Sequence, residues 1–188
     1  MKKYKNKTNK RAFTLIELLA VIVILGVLMI TAIPAVTKAI AKSRRDTYAT
    51  NAKKIIDAVR TSVLNEEFNE DADTCQLPGP NDYIVINLVP TTGTGSVIDN
   101  LLERGGKQSS FNKQYKEGTI WIVNEGSETN DKYVYYITLV DSGKNGIKDA
   151  VAENSLNRSK VFIGSAAKQS ATKPTAATGT AHACTYAG

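Results

Sequence analysis

From Leu18 to Val36 the chain runs nineteen residues without a charged side chain. At about 1.5 Å of rise per residue, a helix of that length crosses a hydrocarbon core of roughly 30 Å. No other feature restricts the fold so strongly. A segment this apolar finds no place on a soluble surface, and the rest of the chain has to be organised around it. Ahead of it stand Lys2, Lys3, Lys5, Lys7, Lys10 and Arg11, six bases with no acid among residues 1–12. By the positive-inside rule that leader stays cytoplasmic, so whatever follows the span is external. Lys38, Lys42, Arg44 and Arg45 flank the other end and reduce the bias without reversing it.

The net charge of +6 invites a nucleic-acid reading, but the leader accounts for all of it. Without the leader's six bases, eighteen bases face eighteen acids. Sequence-specific nucleic-acid binding is therefore not expected. An ordinary secretory signal has a shorter apolar region followed by a small-residue cleavage site, and neither is present. The plain alternative is an uncleaved single-pass anchor. One residue fits that alternative poorly. Glu17 stands at the start of the apolar run, where a carboxylate costs a few kcal/mol by insertion scales (about 2.5–3.5).

The stretch Arg11-Ala12-Phe13-Thr14-Leu15-Ile16-Glu17 resembles the processing site of the type IV prepilin family, the class III signal peptides. The resemblance covers roughly residues 10–36 and fades beyond the long helix. It rests on a short basic leader, a small residue, Phe13 as the first mature residue, Glu17 and Pro34. The family usually has Gly before the cut, where this chain has Ala12. The resemblance implies cleavage between Ala12 and Phe13 by a prepilin peptidase, N-methylation of Phe13 and retention of the apolar segment. It further implies assembly by pilus machinery into a helical homo-oligomer, from a membrane precursor to an extracellular filament. Glu17 would pair with the Phe13 ammonium of a neighbouring subunit, offsetting desolvation and fixing the axial register. Gly26 and Pro34 would loosen the helix, although both are also tolerated in ordinary spans. The family's fold would be α+β, a long N-terminal spine packed on a small antiparallel sheet.

Past Pro34, apolar residues recur at Val36, Ile40, Tyr48, Ala52, Ile55, Ile56, Val59 and Val63, mostly three and four apart. That spacing predicts an amphipathic helix with one face turned to a globular partner. The expected divisions are a cleaved leader over 1–12, a membrane or filament-core half over 13–36, an amphipathic half over 37–73 and a head over 74–188. Within the head, strands are expected over 82–89, 118–125, 130–141 and 159–164, with the pair around "GSETND" forming a hairpin. Short helices are expected over 96–105 and 146–156. The tail 165–188, biased to Ala and Thr, reads as a flexible strap.

The chain has two cysteines, Cys75 and Cys184. In an external head they are expected to form one disulfide, as the resemblance supports for a clamped C-terminal segment; two free buried thiols are the alternative. Closing a loop of about 110 residues is worth roughly 4–5 kcal/mol in the chain-entropy model. No catalytic residues, cofactor or metal are expected. His182 is the only histidine and stands alone in the tail, and "TTGTG" (91–95) lacks the Lys-Ser/Thr of a phosphate loop. "DSGKNG" (141–146) has the outline of a calcium loop but not its spaced carboxylates, so turn chemistry explains it better. The function expected is a pilus subunit. A pseudopilin of a secretion or competence machine, or a surface binding module on an uncleaved anchor, are the alternatives.

Overall fold

A computed structural model describes residues 13–64, 77–89, 97–101, 108–164 and 172–184. The chain divides into two compact units, Met1–Ala41 and Lys42–Gly188, with the fifty-residue helix α1 (Leu15–Leu64) contributing to both. In the first unit the helix is apolar on every side and exposed throughout, from Phe13 through Ile40. Among the described residues of this unit nothing covers that surface, and such a helix requires lipid or other helices around it. It is long and apolar enough to cross a membrane.

The second unit is built on the remainder of α1. Tyr48, Ala49, Ala52, Ile55, Ile56, Val59 and Val63 are buried, at the three-and-four spacing that the sequence predicts. They meet one face of a five-stranded sheet. Its strands are β1 (Tyr83–Asn87), β2 (Tyr115–Asn124), β3 (Tyr133–Asp141), β4 (Gly146–Ala152) and β5 (Ala181–Cys184), in the order β4-β3-β2-β1-β5. Neighbours pair antiparallel except β5, which runs parallel to β1 along the edge. The architecture is thus the expected α+β, type IV pilin-like one, with a mixed sheet instead of a purely antiparallel one. Register places Ile84 beside Ile122, Ile86 beside Ile120 and Ile120 beside Ile137, a continuous isoleucine surface under the helix. A short helix, α2 (Val97–Leu101), adds Val97 and Ile98 to this core.

Tyr48 is the polar pin between helix and sheet. Its hydroxyl donates to the Leu139 carbonyl at 3.0 Å, and its ring packs edge-on against Tyr115 at 6.0 Å. Farther along α1, Arg60 is ion-paired with Asp57 and Glu153 and lies 4.5 Å over the Tyr135 ring. Both contacts tie α1 to the sheet, through β2 and β3 and the 3₁₀ turn after β4.

Burial pushes the Tyr115 hydroxyl up to about 12, while a hydrogen bond with the Asn51 side chain pulls less strongly the other way. Burial raises Tyr48 as well. In an unfolded chain a tyrosine ionises near 10. Stability from this group is therefore complete below pH 10 and lost as pH rises from 10 through about 12, where the unfolded chain has given up protons that the fold retains. Thermal melts from pH 9 to 12 should fall more steeply for the native chain than for Tyr115→Phe. Parallel slopes would rule this account out.

The other face of the sheet is also covered. Tyr83, Trp121, Val123 and Ala177 form a second buried cluster, with Trp121 only 5% exposed. The cover is the segment 172–180. Lys173 Nζ lies 5.1 Å over the Tyr83 ring, Gly179 N–H donates to Asn81 O at 2.8 Å, and Thr180 N–H donates to Asp82 Oδ1 at 2.7 Å. The alternation in "GTIWIVNE" therefore marks two cores.

Three expectations need correction. Residues 146–152 form strand β4, and only Glu153–Ser155 coil into a 3₁₀ turn, where the sequence suggested a helix. The tight "DSGKNG" turn sends the chain back along β3 and decides the matter. Residues 159–164 are not a strand; they hold a 3₁₀ turn at Arg158–Lys160 and a single bridge from Phe162 to Gly146. The final strand lies instead in the Ala/Thr-rich tail, as β5. The acidic run 65–73 lies outside the described residues.

Candidate processing and assembly site

Thr14 and Glu17 bracket the first turn of α1, three residues apart. The Thr14 N–H and the Thr14 hydroxyl both donate to Glu17 Oε2 at 2.8 Å, and the Glu17 N–H donates back to Thr14 Oγ1 at 3.3 Å. This is a reciprocal capping box, in which two of the backbone donors left unpaired at a helix start find side-chain acceptors. The acid also lies at the positive end of the helix dipole. The spacing T-x-x-E was visible in the sequence, so Thr14 is a site residue that sequence reasoning missed. One Glu17 oxygen takes both Thr14 contacts.

Phe13, directly before the cap, is 86% exposed. Ala12 lies outside the described residues. Pro34 stands within an unbroken helix, and the hydroxyls of Thr31 and Thr37 fold back onto the Leu28 and Pro34 carbonyls at 3.0 and 3.1 Å. Such back-bonding weakens and bends helices, which adds to the missing N–H at Pro34. A Cβ at Gly26 would meet nothing within 4 Å, so no contact among the described residues calls for glycine there.

Cys184 is 5% exposed on β5, next to Ile86 of β1, and no described cysteine is a free thiol. Cys75 lies outside the described residues. His182 Nε2 is 3.9 Å from Asp82 Oδ2, and both side chains remain partly exposed. The "DSGKNG" turn is arranged around Asp141, which is 1% exposed. Its carboxylate accepts from Ser109 Oγ, the Gly143 and Asn145 N–H groups and the Asn145 carboxamide, at 2.6 to 3.1 Å. These are donors, whereas a calcium ion takes oxygen ligands. Among the described residues no group of three or more His, Cys, Asp or Glu side chains is arranged to hold a metal.

An exposed apolar helix, capped by a threonine and a glutamate and long enough to cross a membrane, continues into an α+β head, an architecture that is type IV pilin-like and fits a membrane-anchored precursor. The family model of the prokaryotic N-terminal methylation motif, the class III signal peptide of type IV pilins, matches residues 7–33 and supports a pilin-like or pseudopilin precursor. The match takes in Ala12, Phe13 and Glu17, and the head lies beyond it. Neither the curated proteins nor the solved structures contain a match to the chain.

Proposed function

We propose that the chain is the structural subunit of an extracellular type IV pilus. A prepilin peptidase removes residues 1–12, Phe13 becomes the N-methylated first residue, and residues 13–36 pack against the same segment of neighbouring subunits. The amphipathic half of α1, as far as Leu64, seats the sheet of the head. The observation that carries this reading is the exposed apolar first half of α1, whose Thr14–Glu17 capping box lies inside the methylation motif. Burying that surface among like helices is favourable at about 25 cal/mol per Å² of apolar area removed from water. During assembly Glu17, with one oxygen outside the cap, meets the Phe13 ammonium of a neighbour. We also infer that Cys184 pairs with Cys75, fastening β5 and the strap before it.

Mass spectrometry of the N-terminal peptide from filaments sheared off the cell is the direct test. The expected peptide begins at methylated Phe13 and is abundant in the sheared fraction. The same peptide confined to membranes identifies a pseudopilin, and an intact Met1 leader at the surface identifies an anchored binding module. In the same material, denatured protein should take up an alkylating reagent only after reduction. Labelling of both cysteines without reductant eliminates the bond.

A further inference from the structure

Asn145–Gly146 is the chain's one Asn-Gly dipeptide, the pairing most prone to deamidation because glycine leaves the following amide unhindered. We propose that it is a deamidation site which the folded turn holds shut, and that reaction in the unfolded chain is a one-way exit from the native state. In the reaction, the Gly146 amide nitrogen gives up its proton to hydroxide and attacks Asn145 Cγ. A C–N bond forms, the bond to the carboxamide nitrogen breaks and ammonia leaves. Water then opens the succinimide to aspartate or isoaspartate.

In the fold each participant is held away from this path. The Gly146 N–H donates to the Phe162 carbonyl at 2.8 Å, so the nucleophile keeps its proton in a bridge between strands. The carboxamide is held at both ends. Its Nδ2 donates to Asp141 Oδ1 and Oδ2 at 3.0 and 3.1 Å, and its Oδ1 accepts the Gly164 N–H at 3.0 Å. Asn145 is 7% exposed. Its backbone is fixed as well, the N–H donating to Asp141 Oδ1 and the carbonyl accepting the Asp141 N–H, both at 2.9 Å.

The turn needs both members of the hazardous pair. A Cβ on residue 146 would lie 2.1 Å from the Leu139 carbonyl and 2.6 Å from the Tyr48 hydroxyl, at a φ of +143°. Asparagine is needed beside it because its Nδ2 donates to both oxygens of the buried Asp141. Aspartate at 145 would replace those donors with a second carboxylate against the first, in a buried site, where like charges repel strongly. Isoaspartate would in addition lengthen the main chain by one carbon where β3 and β4 are joined. A deamidated chain therefore cannot rebuild the turn.

The test follows isoaspartate and the one-dalton mass gain at Asn145 by peptide mapping. The full chain in detergent micelles, the same chain unfolded in guanidinium and a synthetic peptide spanning 138–150 are incubated together in mildly alkaline buffer. The native chain should react slower than the other two by roughly a hundredfold or more, the suppression expected when reaction occurs only from an opened segment. Equal rates in the native chain and the peptide would overturn the guarded site. After transfer out of guanidinium, Asn145→Asp should fail to regain the native near-ultraviolet signal that the parent chain regains. Refolding of this variant in parental yield would overturn the one-way exit even if the rates agree.

Discussion

On the proposed pairing, Glu17→Gln should leave the precursor inserted and cleaved but lower the yield of sheared filaments by roughly two orders of magnitude, because removing one partner of a desolvated pair strands the other charge. The amide is chosen with the cap in mind. Its carbonyl oxygen still accepts from Thr14, and glutamine serves at this position of a capping box nearly as well as glutamate. The helix start is thereby kept and only the charge is lost. Thr14→Ala does the reverse, removing the Thr14 hydroxyl from Glu17 while the carboxylate remains. Loss of one side-chain cap at an exposed helix end should change filament yield by less than about tenfold. The measurement is the amount of subunit in the sheared fraction, with the N-terminal peptide confirming that each variant is cleaved. Filaments in normal yield from Glu17→Gln as the sole subunit would refute charge pairing between subunits. An equal loss from Thr14→Ala would return Glu17 to a local role as a helix cap.

How far the fold was legible depended on where each segment finds its partner. The first half of α1 could be read outright, since an uninterrupted apolar run admits few structures and the motif around Phe13 is dense. The second half could be read from its spacing, because a 3.6-residue repeat reports a single packed face over many turns. Strand β4 could not. In "GIKDAVA" Ile147 and Val151 are four apart, a spacing shared by one helix face and one strand face, and seven residues are too few to separate them. The turn before it settles the question through Asp141, whose buried carboxylate collects donors from four other groups. Strand β5 carried no local signal at all. "AHAC" is ordered by a backbone ladder to β1, and the preceding residues by Asn81 and Asp82, about a hundred positions away. Alanine and threonine suffice there because the space under the strap is narrow, with Ala177 seated in the cluster of Tyr83 and Trp121. At the processing site the sequence signal was present and incomplete in use. Glu17 stands out as a charge in an apolar run, and its reciprocal bond with Thr14 follows from the equally visible T-x-x-E spacing.

The same turn carries the largest expected loss of stability. Gly146→Ala destabilises the head by about 4 kcal/mol, combining a strained backbone conformation for an L-residue with an overpacked junction. The clash falls on atoms that cannot move apart cheaply. Its nearest contact is the Leu139 carbonyl at 2.1 Å, part of the β3 backbone, and the next is the Tyr48 hydroxyl at 2.6 Å, which bonds to that same carbonyl. Val140 Cα, at 2.9 Å, closes the third side. Relief requires β4 to separate from β3, or Tyr48 to withdraw and carry α1 off the isoleucine surface. Gly164 supplies the comparison within the same unit. It too has a left-handed backbone, at a φ of +67°, but a Cβ there meets nothing within 4 Å. Gly164→Ala should cost only the intrinsic penalty of that conformation, about 1 kcal/mol. For a chain of this size the two variants should melt about 10 °C and about 3 °C below the parent by circular dichroism in detergent micelles. If Gly146→Ala melted with Gly164→Ala, the junction of Leu139, Tyr48 and Gly146 would be looser than its geometry requires. Tyr48 would then not be what seats α1 on the sheet.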